Sequence, residues 1–177
     1  MVFGLAALVF AASCEIGSHP PAAPATPPQI NDQGVGTTCG GEDHGLFEAG
    51  IGWSFCYPGT WKFQERLQPT ARPKGVDATF DITNASPEGS PGSGDFGFMI
   101  ISTDEIAGAS DLKSWVAANI GPVSLEPITW GNSKEAVIDS TGRRFALTAH
   151  HVVEMDVRGD AISAEMAKRL ATWKFLD

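Results

Sequence analysis

Between Val76 and Thr83 apolar and polar residues alternate without a break, Val76, Ala78, Phe80 and Ile82 against Asp77, Thr79, Asp81 and Thr83. Successive side chains of a strand point to opposite faces, so this pattern predicts a strand with one buried and one wet face. The same period sets Trp53, Phe55 and Tyr57 on one face of 52–57, with Ser54 and Cys56 on the other. Pro58-Gly59 suits the central positions of a type II turn, and Trp61 and Phe63 continue the pattern beyond it, which predicts a hairpin. Phe96 to Thr103 is apolar on both faces and predicts a central strand covered on both sides. The intervening Asn84 to Asp95 is rich in Ser, Pro and Gly and predicts a loop, within which Asn84-Ala-Ser86 spells a glycosylation sequon.

Two helices accompany these strands. Ser110 can cap the first, Asp111 suits its positive end, and Leu112, Trp115, Val116 and Ile120 form an apolar stripe before Gly121-Pro122 stops it. Two or three further strands cover about 123–130, 134–139 and 143–157, with Ser140-Thr-Gly142 as a turn. In the last, Phe145, Leu147, Ala149, Val153, Met155 and Val157 are expected on one side. Asp160 is expected to cap a final helix bearing Ile162, Met166 and Leu170, before Trp173, Phe175 and Leu176.

The 177 residues are 42% apolar, enough for one core, but 12 Pro and 20 Gly exceed what a compact core needs. The excess gathers near the amino terminus, where Pro20, Pro21, Pro24, Pro27 and Pro28 fall within nine residues. That composition favours extended, solvated chain and reads as a tether. Before it, Val2 to Ala12 is an uncharged apolar run of 11 residues, too short for the roughly 20 that span a bilayer and suited to a secretory signal. Ala11-Ala12-Ser13-Cys14 resembles the processing box of bacterial lipoproteins, which implies that Cys14 becomes the lipidated first residue of the mature protein. Ala11 stands where Leu is usual, and the first basic residue of the chain is Lys62, which implies a start upstream of Met1. Secretion of a soluble protein cut after Ser13 is the alternative. The expected organisation is therefore a signal peptide at 1–13, a Pro-rich tether at 14–41 and one domain at 42–177.

The net charge of −9 argues against a nucleic-acid partner. Five acidic residues and no basic ones precede Lys62, so more than half of that charge lies in the tether and the start of the domain. Anionic head groups would repel such a tether and help hold the domain off a membrane.

Cysteine arithmetic follows from the export signal. With Cys14 assigned to the lipid, Cys39 and Cys56 form an even pair in an oxidising compartment, and a disulfide is the default. Its loop of about 17 residues is worth on the order of 3 kcal/mol in the chain-entropy model. A metal site is the competing reading, because Cys39-Gly-Gly-Glu42-Asp43-His44 gathers possible ligands, but C-x-x-C and paired His spacings are missing. Gly34-Val-Gly36-Thr-Thr-Cys39 falls short of a dinucleotide fingerprint and reads as loop.

Ser54-Phe-Cys-Tyr57-Pro58-Gly-Thr-Trp61 resembles the opening signature of PsbP-like and Mog1-like domains, an aromatic strand leading into Tyr-Pro-x-x-Trp. A mid-chain helix, several strands and a last helix ending in an aromatic extend the resemblance over about 45–177. It implies an α+β fold, an antiparallel β-sheet flanked by helices as an α-β-α sandwich, of the kind carried by many envelope lipoproteins. Tyr57, Pro58 and Trp61 match at structural positions only, so no functional residue follows from the resemblance.

Residues that suggest chemistry have structural readings beside them. His150 and His151, adjacent on a strand, would point to opposite faces and cannot jointly hold one ion, and His151 is expected as a hydrogen-bonded core residue. His150 and Glu154 share a face but are about 13 Å apart along a strand, too far for shared proton transfer. Arg158-Gly159-Asp160 reads as a turn and helix cap rather than an adhesion motif, and the Trp residues as core rather than a ligand cleft. Nucleophile elbows, phosphate loops and paired metal-binding histidines are missing from the sequence. The expectation is a non-catalytic, lipid-anchored envelope protein, without cofactor or metal, that binds a protein partner or assists assembly. The alternatives are an extracytoplasmic module for a small ligand or metal, and a hydrolase with dispersed catalytic residues.

Overall fold

The computed structural model describes residues 39–48, 50–69, 75–83, 96–106 and 108–176. The signal peptide, Cys14, the tether up to residue 38 and the loop at 84–95 with its sequon lie outside the described residues.

Ten strands form two antiparallel sheets. The smaller has the order β1-β2-β10, from β1 (Asp43–Glu48), β2 (Trp53–Pro58) and β10 (Lys174–Phe175). The larger has seven strands in the order β3-β4-β5-β9-β8-β7-β6. These are β3 (Lys62–Pro69), β4 (Val76–Thr83), β5 (Phe96–Glu105), β6 (Leu125–Pro127), β7 (Glu135–Asp139), β8 (Arg144–Leu147) and β9 (His151–Arg158). Helices α1 (Leu112–Asn119) and α2 (Asp160–Lys168) and a short 3₁₀ turn (Leu170–Thr172) complete the chain. The fold is thus α+β and mostly antiparallel sheet.

The alternation read in β4 explains the core. Ala78, Phe80 and Ile82 share a face with Met99 and Ile101 of β5, Val153 and Met155 of β9 and Ala146 of β8, and all are buried in one cluster. The smaller sheet supplies Trp53, Phe55, Tyr57 and Phe175 to that cluster, and α2 supplies Ile162 and Met166. On the opposite face α1 packs Leu112, Trp115 and Val116 on Val137, Phe145 and Val152. As expected, β5 is central, paired with β4 on one side and β9 on the other.

Several expectations are corrected. The single sheet between helical layers is instead two sheets, and helices of eight and nine residues are too short to cover a seven-stranded face. The predicted hairpin across Pro58-Gly59 is a crossing between sheets, for β2 pairs with β1 and β10 whereas β3 pairs with β4. The turn spans Pro58 to Trp61, whose N–H donates to the Pro58 carbonyl at 2.9 Å. A Cβ at Gly59 would lie 2.4 Å from the Glu42 carbonyl, so glycine lets β1 approach this crossing.

The stretch at 143–157 is a tight hairpin, not one strand. Thr148 makes the turn: its Oγ1 accepts from the His151 N–H at 3.0 Å, and its N–H donates to the His151 carbonyl at 2.9 Å. The turn reverses the face, so Phe145 lies in the α1 cluster while Val153 and Met155 lie in the main core. Caps also differ. Asp111, not Ser110, caps α1 by accepting from the Ser114 N–H at 2.8 Å, and Ser110 donates to Asp111. Gly159 precedes α2 without a side-chain cap, leaving Asp160 as its first residue.

Candidate functional site

The strongest covalent feature is the disulfide between Cys39 and Cys56, with Cα atoms 5.7 Å apart. It ties residue 39, just before β1, to a fully buried position in β2. The same bond takes the Cys39 sulfur out of the possible ligands in 39–44, since a bonded sulfur offers no thiolate. Asp43 is engaged by Arg169, whose Nε and Nη2 donate to its carboxylate at 2.7 and 2.8 Å, and His44 stands edge-on to Tyr57 at 5.8 Å. Among the described residues no group of three His, Cys, Asp or Glu is placed to hold a metal ion.

The histidines separate by position. His150 is exposed in the turn, and His151 is the first residue of β9, only partly buried, so the expected core histidine is corrected. The reason is the Thr148 turn, which puts both residues at the rim of the sheet. Glu154 lies inside β9 opposite Phe145, on the face where Arg143 reaches it at 3.7 Å. Arg143 also holds Asp139, whose carboxylate accepts from the Thr141 hydroxyl and backbone N–H and from Arg143 Nε. Burial pushes the Asp139 carboxyl up, but these bonds outweigh it and hold it below the usual range. This network staples the β7–β8 turn.

All five tryptophans are buried, with the most exposed of them at 4%. Phe55 stacks on Trp173 at 4.5 Å between centroids, and Trp130 stands edge-on to Trp173 at 5.0 Å. Gly131 is required beside them: it takes φ +53°, and a Cβ there would meet the Trp173 carbonyl at 2.3 Å. The aromatic residues are therefore core.

Two titratable groups escaped the sequence reading. Glu65, on edge strand β3, shares the core-facing side with Phe63 and its partner Phe80. Its carboxyl is pushed up to about 7 by burial, by the charge of Glu48 and by a hydrogen bond with Glu48. The second is Arg144, 7% exposed on the core side of β8 between Met155 and Ile138. Burial lowers its pKa. Nothing in either local sequence marks them, because only strand register decides which face a charged residue takes.

Fold and site together define a two-sheet antiparallel α+β domain stapled by one disulfide. No family model matches the chain, and neither a curated protein nor a solved structure matches it.

Proposed function

We propose that this protein is a non-catalytic, lipid-anchored envelope protein whose domain is a relative of PsbP-like and Mog1-like domains and binds a protein partner or assists assembly. One observation carries the reading: of three cysteines, Cys39 and Cys56 are joined, so Cys14, directly behind Ala11-Ala12-Ser13, is the cysteine left over. A disulfide also suits the oxidising side of a membrane. No helix among the described residues is long and apolar enough to cross a membrane, so a covalent lipid is the attachment this reading requires. For the partner, the outer side of the eight-residue strand β3 is an unpaired sheet edge among the described residues, with Leu67 exposed along it.

Replacing Cys14 with Ser tests the anchor. The variant is expected in the soluble extracytoplasmic fraction, and unchanged membrane fractionation overturns it. Crosslinking in the native membrane from a photoreactive residue at Gln68 tests the partner; a specific adduct is expected, and none from any position along β3 argues against it.

A further inference from the structure

We propose that Arg144 anchors a binding site for a small oxyanion, a carboxylate or a phosphate group. The inference goes beyond the envelope reading and does not rest on it.

A guanidinium in a protein interior is normally paired with a carboxylate or fully hydrogen-bonded, because a buried charge without a partner is costly. Arg144 is 7% exposed and forms no ion pair among the described residues. Its side chain makes one hydrogen bond, from Nη1 to the Gly142 carbonyl at 3.3 Å. Its ladder neighbours are Met155 and Ile138, and Ala146 is the next residue of β8 on that face. By register the nearest carboxylate on the same face is that of Glu126 on β6, beyond Ile138, and it forms no pair with Arg144. The carboxylates of Asp139 and Glu154 are taken by Arg143 on the opposite face.

The unused donors have a definite shape. With one Nη1–H turned to Gly142, four of the five N–H donors remain, and of these Nε–H and one Nη2–H form the side-on edge of the guanidinium, the edge that grips two oxygens of a carboxylate or phosphate at once. Neither nitrogen is among the sealed, unpartnered side-chain atoms, so both keep some contact with solvent. A charged fork with its bidentate edge free, flanked by Met155, Ile138 and Ala146, is suited to an oxyanion. The salt-bridged arginines elsewhere among the described residues, Arg66, Arg143, Arg158 and Arg169, each already hold a carboxylate.

The test titrates the full folded domain with sodium phosphate and, separately, sodium acetate, at constant ionic strength against chloride. Thermal unfolding and the Arg144 Nε–H resonance are followed together. The wild type is expected to show a saturable rise in Tm and a saturable shift of that resonance with at least one anion. Response to acetate alone assigns a carboxylate ligand, and response to phosphate alone assigns a phosphate. Arg144→Met should lose the response and Arg144→Lys, which keeps the charge but not the fork, should weaken it at least tenfold. Arg158→Met should leave it unchanged. A wild type that responds to neither anion beyond chloride, or an equal response in Arg144→Met, overturns the proposal. Should Arg144→Met fail to fold, the wild-type resonance and Arg144→Lys still decide.

Discussion

Replacing Glu65 with Gln should stabilise the domain above neutral pH and change little in acid. Glu65 faces the core side of β3 beside Phe63 and opposite Phe80, and shares a hydrogen bond with Glu48 at the end of β1. The folded protein thus holds the Glu65 proton up to about pH 7, whereas the unfolded chain releases it near 4.5. Between those values the folded state carries more protons, so stability falls as pH rises, and above pH 7 the penalty is complete. Taken whole, the difference corresponds to about 3 kcal/mol. Glu65 keeps part of its surface in water, so about 1–2 kcal/mol is the working figure. Urea unfolding of wild type and Glu65→Gln at pH 4.5, 6, 7 and 8 measures it. The two should nearly coincide at pH 4.5 and diverge through pH 7, with the variant the more stable. Parallel curves across the range would refute the raised Glu65 carboxyl, as would a variant that is less stable at pH 8.

Three further expectations concern the frame. Non-reducing mass spectrometry should find Cys39 joined to Cys56, and a Cys39→Ala, Cys56→Ala double variant should lose about 3 kcal/mol in denaturant unfolding, the loop-closure figure for their separation of 17 residues; a change well under 1 kcal/mol would place the constraint elsewhere. Trp173→Ala, which empties a fully buried site stacked on Phe55 and edge-on to Trp130, should cost about 3–5 kcal/mol by the same measurement. Asp111→Ala removes the cap of α1 and should cost about 1 kcal/mol, whereas Ser110→Ala should cost less, with thermal melts separating the two.

The resemblance to an α-β-α sandwich predicted two helices and an antiparallel sheet, and both are present. Its layering is not, because α1 covers only the end of the large sheet around Val137, Phe145 and Val152, and the second layer on the other face is largely β1, β2 and β10. Trp173 was legible as a core residue, but Lys174 and Phe175 were not legible as a strand. Two residues of β10 carry no periodicity, and only Trp53 and Ser54 opposite them define a strand there.

Period, parity and composition sufficed for much of the chain. The alternation at 76–83 placed β4, the two-faced run at 96–103 placed the central strand, and three cysteines, the first of them read as a lipidation site, left Cys39 and Cys56 as the pair that is joined. These are local or compositional properties, and physics that acts over a few residues leaves them in the sequence. The Thr148 turn was hidden because Thr148-Ala149-His150 contains neither Gly nor Pro; a side-chain hydroxyl and a cross-turn backbone bond make it instead. Its effect is large, since reversing the face sends Phe145 and Val153 to opposite sides of one sheet. Glu65 and Arg144 belong to the same class. In the sequence each is an ordinary surface charge; only the register of β3 on β4 and of β8 on β9 turns one into a half-buried carboxyl on the core side and the other into an unpaired buried guanidinium.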